Sequence, residues 1–276
     1  MIPETISLLK KYTLKQAKKY LPTRKRASNK THGGKCLVIA GSKGLYGSSI
    51  LTALAAGRVG SGYIYIYSSG KFPIQSHPEF LTLTKLTELD RFNAIAIGPG
   101  FKDHKTILSI IKKLKKIKFP NVVLDAEAIN AIAKSAIQLP EQWIVTPHEG
   151  ELARVLNVSS GKIRSQRKKY LELAHKKLGC IVLLKGFKTL LHDGKSIWEI
   201  QSGNPALAKA GTGDVLTGMI AGFLSQDLSP SQAALLASYI HGDIADAWIR
   251  SKRDHLGLLP SDILDSIPYH LKKMRK

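Results

Sequence analysis

Short apolar runs alternate with longer stretches of helical periodicity along most of the chain. Six of these runs are apolar at nearly every position instead of at alternate ones. They lie at 36–40, 63–67, 94–98, 122–125, 143–146 and 181–185. Such runs are typical of parallel strands that are buried on both faces, and the segments between them are long enough for helices. The pattern therefore predicts a doubly wound α/β fold, with a central, mostly parallel sheet and helices on both sides.

The two ends of the chain follow different patterns. Residues 6–20 have apolar side chains at helical spacing, so we predict an N-terminal helix there, followed by a basic connection to residue 33. Segments 189–193 and 196–200 flank an Asp-Gly turn and predict a β-hairpin appended to the sheet. From Gly213 onward nearly all of the chain has a helical pattern, and the length of the chain favours a single domain.

In a doubly wound sheet, ligands bind beyond the carboxyl ends of the strands. The stretches that follow the predicted strands are rich in glycine and polar residues. They are GSKGLYGSS (41–49), GPGF (98–101), DAEAIN (125–130), TPHEGE (146–151) and KGFKT (185–189). We expect them to line one cleft. The first two suit either a tight turn or a phosphate cradle, because glycine lets backbone amides approach an anion.

Several side chains at this edge have both a structural and a functional interpretation. In TPHEGE we predict Thr146 as a helix N-cap and Glu149 as its capping-box partner. His148 is not needed for that cap, so it either contacts a polar ligand or packs. Asp125 is predicted to cap a helix, with a water or metal contact as the alternative. Lys185 ends a buried apolar strand and must meet an anion, either a nucleotide phosphate or a carboxylate such as Asp125.

The most informative stretch is NPALAKAGTGDVLTG (204–218). Asp214 precedes an apolar face at helical spacing, which predicts a helix whose first turn contains the aspartate. A contact with the helix dipole, worth about 0.3–1 kcal/mol, does not explain the glycines around it. Gly211, Thr212 and Gly213 offer consecutive amides to an anion and hold a carboxylate beside it. This arrangement suits phosphoryl transfer, with a base next to electropositive amides.

The chain carries 42 lysines and arginines against 20 acidic residues, a formal net charge of +22. This excess suggests nucleic acid, an anionic membrane or a phosphorylated ligand as a partner without choosing among them, and the favoured interpretation is a basic, solvated surface with no specific partner. No nucleic-acid-binding motif accompanies the charge, so a basic nucleic-acid-binding protein remains a secondary alternative. No segment approaches the length of a membrane span, and we expect no membrane partner. Two cysteines, Cys36 and Cys180, are too few for a disulfide framework, so we expect a protein of the reducing cytoplasm.

Taken in their order, these stretches closely resemble the motifs of the ADP-dependent NAD(P)H-hydrate dehydratase family of the ribokinase-like superfamily, over roughly residues 30 to 270. The resemblance implies a three-layer αβα, ribokinase-like fold for residues 1–276, without the epimerase domain fused to some relatives. It implies removal of the hydroxyl from the S epimer of NADHX or NADPHX, the hydrated forms of NADH and NADPH, while ADP becomes AMP and phosphate. It also implies ADP as cosubstrate, Mg²⁺ as cofactor and a homo-oligomer, often a tetramer.

The resemblance assigns roles to individual residues, with Asp214 as the base. The residues expected to contact the hydrated dinucleotide are Ser48, Gly100, His148 and Asp214. The residues expected to contact the adenine nucleotide are Lys185, Gly186, Phe187, Lys188, Thr189, Gly211, Thr212 and Gly213. Ser48 and Glu127 depart from the family pattern, which usually has alanine and aspartate there. The alternative activity is that of the ATP-dependent kinases of the same superfamily, which phosphorylate vitamin precursors or sugars and stop there.

Overall fold

A computed structural model of the protein describes residues 8–70, 72, 77–135 and 137–276. The strands are β1 (Leu9–Tyr12), β2 (Lys35–Ser42), β3 (Tyr63–Ser69), β4 (Leu81–Thr82), β5 (Ala94–Ile97), β6 (Val122–Leu124), β7 (Ile144–Val145), β8 (Ile181–Leu184), β9 (Leu190–His192) and β10 (Ile197–Ile200). The helices are α1 (Leu14–Lys19), α2 (Tyr46–Val59), α3 (His104–Lys116), α4 (Glu127–Ala133), α5 (Glu149–Leu156), α6 (Ser160–Ser165), α7 (Arg167–Leu178), α8 (Thr212–Leu224), α9 (Pro230–Arg250) and α10 (Pro260–Arg275).

The ten strands found among the described residues form one sheet, in the order β1-β10-β9-β8-β7-β6-β5-β2-β3-β4. Neighbouring strands are parallel except where β9 pairs with β8 and β10. The sheet grows from β2 in two directions, with β3 and β4 on one side and β5 to β8 on the other. A crevice therefore opens between the carboxyl ends of β2 and β5, which is the usual ligand position in such sheets.

Two hydrophobic cores cover the two faces of the sheet. On β2, Cys36, Val38 and Ala40 belong to one core, together with α2, α8, α9 and α10. Leu37 and Ile39 belong to the other core, with α3, α4, α5 and α7. All five side chains are fully buried, which explains why this run is apolar at every position. The predicted three-layer αβα architecture with a mostly parallel sheet is confirmed.

Helices α2 and α8 pack closely because glycines lie at their contact. A Cβ added to Gly218 would lie 2.0 Å from the carbonyl oxygen of Thr52. A Cβ added to Gly222 would lie 2.4 Å from Cγ2 of Val59. Larger residues would therefore push the two helices apart. This packing holds the first turns of α2 and α8 side by side at the carboxyl edge of the sheet.

The predicted hairpin is confirmed, since β9 and β10 pair antiparallel with Leu191 opposite Trp198. The helical last third is confirmed as well, in α8, α9 and α10. The predicted N-terminal helix is wrong for its first half. Residues Leu9–Tyr12 form a strand that pairs parallel with β10, and only Leu14–Lys19 are helical; residues 6 and 7 lie outside the described part of the chain.

The reason for this difference is a tertiary one. The appended hairpin leaves the edge of β10 with backbone groups to pair, and residues 9–12 satisfy them. In strand form, Lys10 and Lys11 are exposed while Tyr12 is buried against Trp198 and Tyr239. Helical spacing of a few apolar residues is a weak preference, and the partner strand overrides it.

Within the described ranges, no helix is both long and apolar enough to cross a bilayer. Cys36 and Cys180 are buried free thiols on the central strand β2 and directly before β8. Burial raises the pKa of the Cys36 thiol to about 12. Both cysteines therefore pack as small apolar residues and stay protonated.

Candidate active site

An ion pair lies at the carboxyl edge of the sheet, just beyond β6 and β8. Lys185 Nζ is 2.7 Å from Oδ1 of Asp125, and both side chains are largely buried. The hydroxyl of Thr146 donates to the same oxygen at 2.9 Å, and the hydroxyl of Thr217 donates to Oδ2 at 2.9 Å. Of the two anions that Lys185 was expected to meet, the structure shows the carboxylate. The predicted helix cap at Asp125 is wrong, because Ala126 is the N-cap of α4 and the Asp125 side chain forms an ion pair with Lys185 instead.

A second carboxylate completes this cluster. Oε2 of Glu151 lies 3.9 Å from Lys185 Nζ and accepts a hydrogen bond from the backbone N–H of His148 at 2.8 Å. Burial raises the pKa of Glu151 to about 7, although the charge of Lys185 opposes the shift. Burial lowers the pKa of Lys185, but Asp125 and Glu151 outweigh this effect and the pKa lies above its ordinary value. Lys185 is therefore a stable cation at neutral pH.

Asp214 lies in the first turn of α8, as predicted, next to the same cluster. Burial raises the pKa of its carboxyl to about 6, and the negative charge of Asp125 adds to the shift. A hydrogen bond from the Ser48 hydroxyl and the charge of Lys185 act in the opposite direction. A carboxylate with a pKa near 6 is mostly ionised at neutral pH and basic enough to accept a proton from a substrate hydroxyl.

The TPHEGE stretch folds differently from the prediction. Helix α5 begins at Glu149, and its N-cap is His148, whose Nδ1 accepts hydrogen bonds from the N–H groups of Gly150 at 2.9 Å and Glu151 at 3.3 Å. Glu151 is the capping-box partner, so the prediction of Thr146 and Glu149 for these roles is wrong. The cause is Asp125, which accepts a hydrogen bond from the Thr146 hydroxyl and so holds Thr146 at the carboxyl edge of the sheet.

His148 therefore caps α5 through Nδ1 and keeps Nε2 for a contact with a ligand. Because Nδ1 accepts from the backbone, the proton of the neutral ring resides on Nε2. Burial and the charge of Lys185 lower the pKa of the ring, which favours this neutral form. The side chain is 55% exposed, so the Nε2–H can donate to a ligand in the cleft.

The crevice between β2 and β5 contains two of the predicted substrate-binding residues. The backbone N–H of Gly41 donates to the carbonyl of Pro99 at 2.8 Å, which joins the two loops. Gly100 has a φ of +62°, and a Cβ there would lie 3.0 Å from Cβ of Ser48. Ser48 and Gly100 are thus neighbours, and Ser48 links the crevice to Asp214.

A cavity of about 360 Å³ adjoins the cluster on the β8 and α8 side. Its lining includes these predicted nucleotide contacts: Lys185, Gly186, Phe187, Lys188, Thr189, Thr212 and Gly213. Gly211 is outside the lining and instead forms the N-cap of α8, with a φ of +90°. A Cβ on Gly213 would lie 3.3 Å from Lys185 Nζ and 3.9 Å from Oδ2 of Asp125, so the cavity and the carboxylate cluster meet at this residue.

Sequence reasoning missed four polar residues of this region. Glu151 lies in the TPHEGE stretch (146–151), and its position three residues after His148 is the spacing of a capping box. Thr217 lies in the stretch 204–218 around Asp214, within α8, but its bond to Asp125 spans 92 residues. Ser238 and His241 line the cavity from α9, and no motif marks them in the sequence.

The sheet order, the crevice at β2 and β5 and the cavity beside the α8 N-terminus define the class of protein, a ribokinase-like α/β fold. A ribokinase-like superfamily protein from Enterococcus faecalis V583 has this fold, with a TM-score of 0.86 at 24% identity and 97% of each chain covered. The family model of the NAD(P)H-hydrate dehydratases matches residues 36–269, and the chain belongs to this family.

Individual relatives agree with this membership. The chain is 33% identical to the ADP-dependent (S)-NAD(P)H-hydrate dehydratase of Bacillus subtilis, over 93% of this chain and 96% of that protein. It is 34% identical to the bifunctional NAD(P)H-hydrate repair enzyme of Moorella thermoacetica, over 93% of this chain and 52% of that protein. The chain thus spans about half the length of the bifunctional relatives it matches.

A solved structure extends the similarity to the backbone. The ADP/ATP-dependent NAD(P)H-hydrate dehydratase of Bacillus subtilis, co-crystallised with ATP and Mg²⁺, matches with a TM-score of 0.87 at 29% identity. The match covers 98% of this chain and 99% of that one.

Proposed function

We propose that this protein is an ADP-dependent dehydratase that restores NADH and NADPH from the S epimers of their hydrates. The observation that carries the proposal is the position of Asp214, a carboxylate with a pKa near 6 that lies between two binding spaces. One is the cavity lined by KGFKT (185–189) and the α8 N-terminus. The other is the crevice with Ser48 and Gly100. A base between a phosphoryl donor and a hydroxyl acceptor is the arrangement that phosphoryl transfer needs.

ADP occupies the cavity in this proposal. The N–H of Thr212 donates to the carbonyl of Lys209 at 3.4 Å, whereas the N–H of Gly213, in the first turn of α8, has no partner within the helix and would attract phosphate oxygens. Lys185, beside Gly213, and Lys188 in the lining of the same cavity supply positive charge. The diphosphate would therefore lie along the α8 N-terminus, with its terminal phosphoryl group next to Asp214.

The hydrated dinucleotide occupies the crevice, with its ring hydroxyl near Asp214. Asp214 accepts the hydroxyl proton, and the hydroxyl oxygen bonds to the terminal phosphorus of ADP while the bond from that phosphorus to the bridging oxygen breaks and releases AMP. The ring nitrogen lone pair then expels the phosphorylated oxygen from the ring carbon as inorganic phosphate, and the neighbouring ring carbon loses a proton, so that its C–H electron pair forms the C=C bond of the reduced ring. Hydroxide is a poor leaving group and phosphate is a good one, so the transfer makes the elimination feasible. His148 donates its Nε2–H to the substrate.

Mg²⁺ fits this site as a companion of the nucleotide. Among the residues that the structure describes, no cluster of three histidines, cysteines or acidic side chains could hold a metal by itself. In phosphoryl-transfer sites Mg²⁺ is bound in large part by substrate phosphates and keeps several waters. The diphosphate oxygens and water would hold the ion here, and it would neutralise charge on the diphosphate while Asp214 acts as the base.

The direct test is to mix the protein with hydrated NADH and either ADP or ATP and to follow recovery of the reduced-nicotinamide absorbance. We expect recovery, with AMP and phosphate appearing when ADP is used. No recovery with either nucleotide would reject the activity. The kinase alternative predicts instead a stable phosphorylated product from ATP and a vitamin precursor or sugar. The nucleic-acid alternative predicts binding to RNA or DNA that weakens steeply with salt.

Three further properties belong to the same proposal. The continuous sheet from β1 to β4 supports a single ribokinase-like domain over residues 1–276. A homo-oligomer, such as a tetramer, is supported by exposed apolar side chains before and within α10: Leu256, Leu259 and Tyr269. A cytoplasmic location is supported by the two free thiols. Light scattering after size-exclusion chromatography tests the oligomer, and a monomer would reject it.

A further inference from the structure

The loop between β8 and β9, residues 185–189, is held from outside the cavity by Arg167. Nη2 of Arg167 donates to the carbonyl oxygens of Leu184 at 3.1 Å and Lys185 at 3.3 Å. Nη1 donates to Oε1 of Glu149 at 2.5 Å. All five residues of the loop line the cavity, whereas Arg167, with a side chain that is 14% exposed, is not part of the lining. Arg167 therefore contacts the backbone of the loop and leaves the space for a nucleotide free.

The backbone of this loop depends on partners outside it. Gly186 has a φ of +129°, and a Cβ there would lie 3.0 Å from Nη1 of Arg167, so glycine allows the guanidinium to come this close. Lys188 also has a left-handed backbone, with a φ of +51°, which side chains other than glycine rarely adopt. The N–H of Lys185 donates to the carbonyl of Pro147 at 2.9 Å, so the Lys185 backbone is bonded on both sides.

The position of Arg167 is unfavourable by local criteria. It opens α7, followed by Lys168 and Lys169, with no acidic residue in the first turn and no side-chain cap from Gln166. Cations at a helix N-terminus oppose the helix dipole. Burial lowers the pKa of the guanidinium although Glu149 opposes the shift, and the buried Nε has no hydrogen-bond partner among the described residues. A buried ion pair often adds little net stability, and residues that break local rules often lie at functional sites.

We propose that Arg167 is a positioning residue of the nucleotide site. Its planar guanidinium fixes the carbonyls of Leu184 and Lys185 and so holds the loop in the form in which Lys185 and Gly186 line the cavity, while Glu149 sets the direction of the guanidinium. A loop that is ordered before binding does not have to be ordered by the ligand, which raises affinity. The assignment rests on the proposed function for its ligand, ADP, and adds the residue that organises the binding loop.

Hydrogen exchange followed by mass spectrometry, and calorimetric titration with the Mg²⁺ complex of ADP, test Arg167→Lys and Arg167→Met. An ammonium cannot reproduce the planar fork that joins the carboxylate to two carbonyls, and methionine donates to none of them. Amide exchange within residues 185–190 should be faster by about tenfold or more in both variants, while α10 keeps its protection. ADP affinity should fall about tenfold, the equivalent of one lost hydrogen bond to a charged group.

The conservative variant separates positioning from stability. Arg167→Lys keeps a cation beside Glu149, so its free energy of unfolding in urea should stay close to that of the wild type while its ADP affinity falls as far as in Arg167→Met. The matched control is Arg164→Lys. Nε of Arg164 donates to the other oxygen of Glu149 at 3.1 Å, its side chain is 74% exposed, and none of its described contacts is with the loop. This variant should change neither loop exchange nor ADP affinity.

Several results would overturn the assignment. One is unchanged loop exchange in both Arg167 variants, and another is faster exchange with unaltered ADP affinity. Full ADP affinity in Arg167→Lys would mean that charge alone suffices, and a loss of protection throughout the sheet would make the role of Arg167 merely structural. If Arg167→Met does not fold, Arg167→Lys decides alone.

The proposed function can fail separately from this assignment. A wild type that binds ADP and shows these variant effects but restores no NADH would contradict the proposed function and leave the role of Arg167 intact. A wild type that does not bind ADP would contradict both.

Discussion

Lys185 Nζ lies 2.7 Å from Oδ1 of Asp125, although the two residues are 60 positions apart in the chain. The pair joins the ends of β6 and β8 and holds the ammonium group beside Gly213, where the carboxylate cluster meets the cavity. The contribution of Lys185 to stability can therefore be separated by mutation from its proposed contribution to ligand binding. The reason is that Asp125 neutralises the charge of Lys185 with or without a nucleotide.

Replacing Lys185 alone should destabilise the fold strongly. Lys185→Met leaves the buried Asp125 carboxylate without its cation, and such a loss costs about 3–5 kcal/mol. Adding Asp125→Asn removes the unpaired charge, so the double variant should recover most of the free energy of unfolding in urea. ADP affinity should stay low in both proteins, because neither supplies the cation. Lys116→Met, on an exposed position of α3, is the control and should change neither quantity. Equal stability of the single and double variants would contradict this account.

Asp214→Asn should abolish turnover and preserve binding. The amide keeps the shape of the carboxylate and can still accept from Ser48, but it cannot take a proton. General-base catalysis typically contributes about 10²–10⁴ in rate, and kcat should fall by that factor. Titration of ADP should give an affinity within a few-fold of the wild type. Asp265→Asn, at a side chain that is 76% exposed, is the matched control. Substantial activity in Asp214→Asn would remove Asp214 from the base role.

The same variant should be more stable than the wild type at alkaline pH. The pKa of Asp214 is raised from 3.8 to about 6, so between these values the native state binds more protons than the unfolded state. The free energy of unfolding of the wild type therefore falls as pH rises through this window, and above pH 6 the whole cost of the buried charge is present. Asn carries no charge, so the variant should gain on the order of 1–3 kcal/mol at pH 8 and nothing at pH 3.5. Urea denaturation at both pH values measures it, and a gain independent of pH would argue against a buried ionised Asp214.

The pH dependence of the wild-type reaction should report the ionisation of the same carboxyl group, that of Asp214. Only the ionised carboxylate acts as a base, so kcat/KM should fall about tenfold per unit below pH 6 and level off above it. Glu151, with a pKa near 7, is the other candidate for this limb. In Glu151→Gln the limb near pH 6 should persist. Its disappearance would assign the titration to Glu151.

Gly213→Ala should weaken ADP binding with little effect on the fold. The added Cβ would lie 3.3 Å from the flexible end of Lys185, at the point where the cavity meets the carboxylates. We expect ADP affinity to fall by roughly tenfold, while the free energy of unfolding changes by less than about 1 kcal/mol. Gly161→Ala, in α6 with no atom within 4 Å of the added Cβ, is the matched control. If Gly213→Ala binds ADP normally, the phosphates do not approach this residue.

The six strands predicted from apolar runs are confirmed because their signal is local. A strand buried on both faces must be apolar throughout. The placement of Asp214 in the first turn of α8 follows in the same way from apolar spacing. Where a prediction failed, a distant partner had the larger effect. Thr146 donates a hydrogen bond to Asp125 instead of capping a helix. Residues 9–12 pair with the edge of β10 instead of forming a helix.

By itself, the sequence determined the α/β class, the order of its strands along the chain, and the polar edge that carries the chemistry. The tertiary structure alone decided that Asp125 pairs with Lys185, that Ser48 reaches Asp214 and that Ser238 and His241 of α9 line the cavity beside the α8 N-terminus. The physical reason is that periodicity and turn chemistry act over a few residues. Which buried polar groups satisfy one another depends on packing, such as the close contact of α2 with α8 at Gly218, that joins segments far apart in the chain.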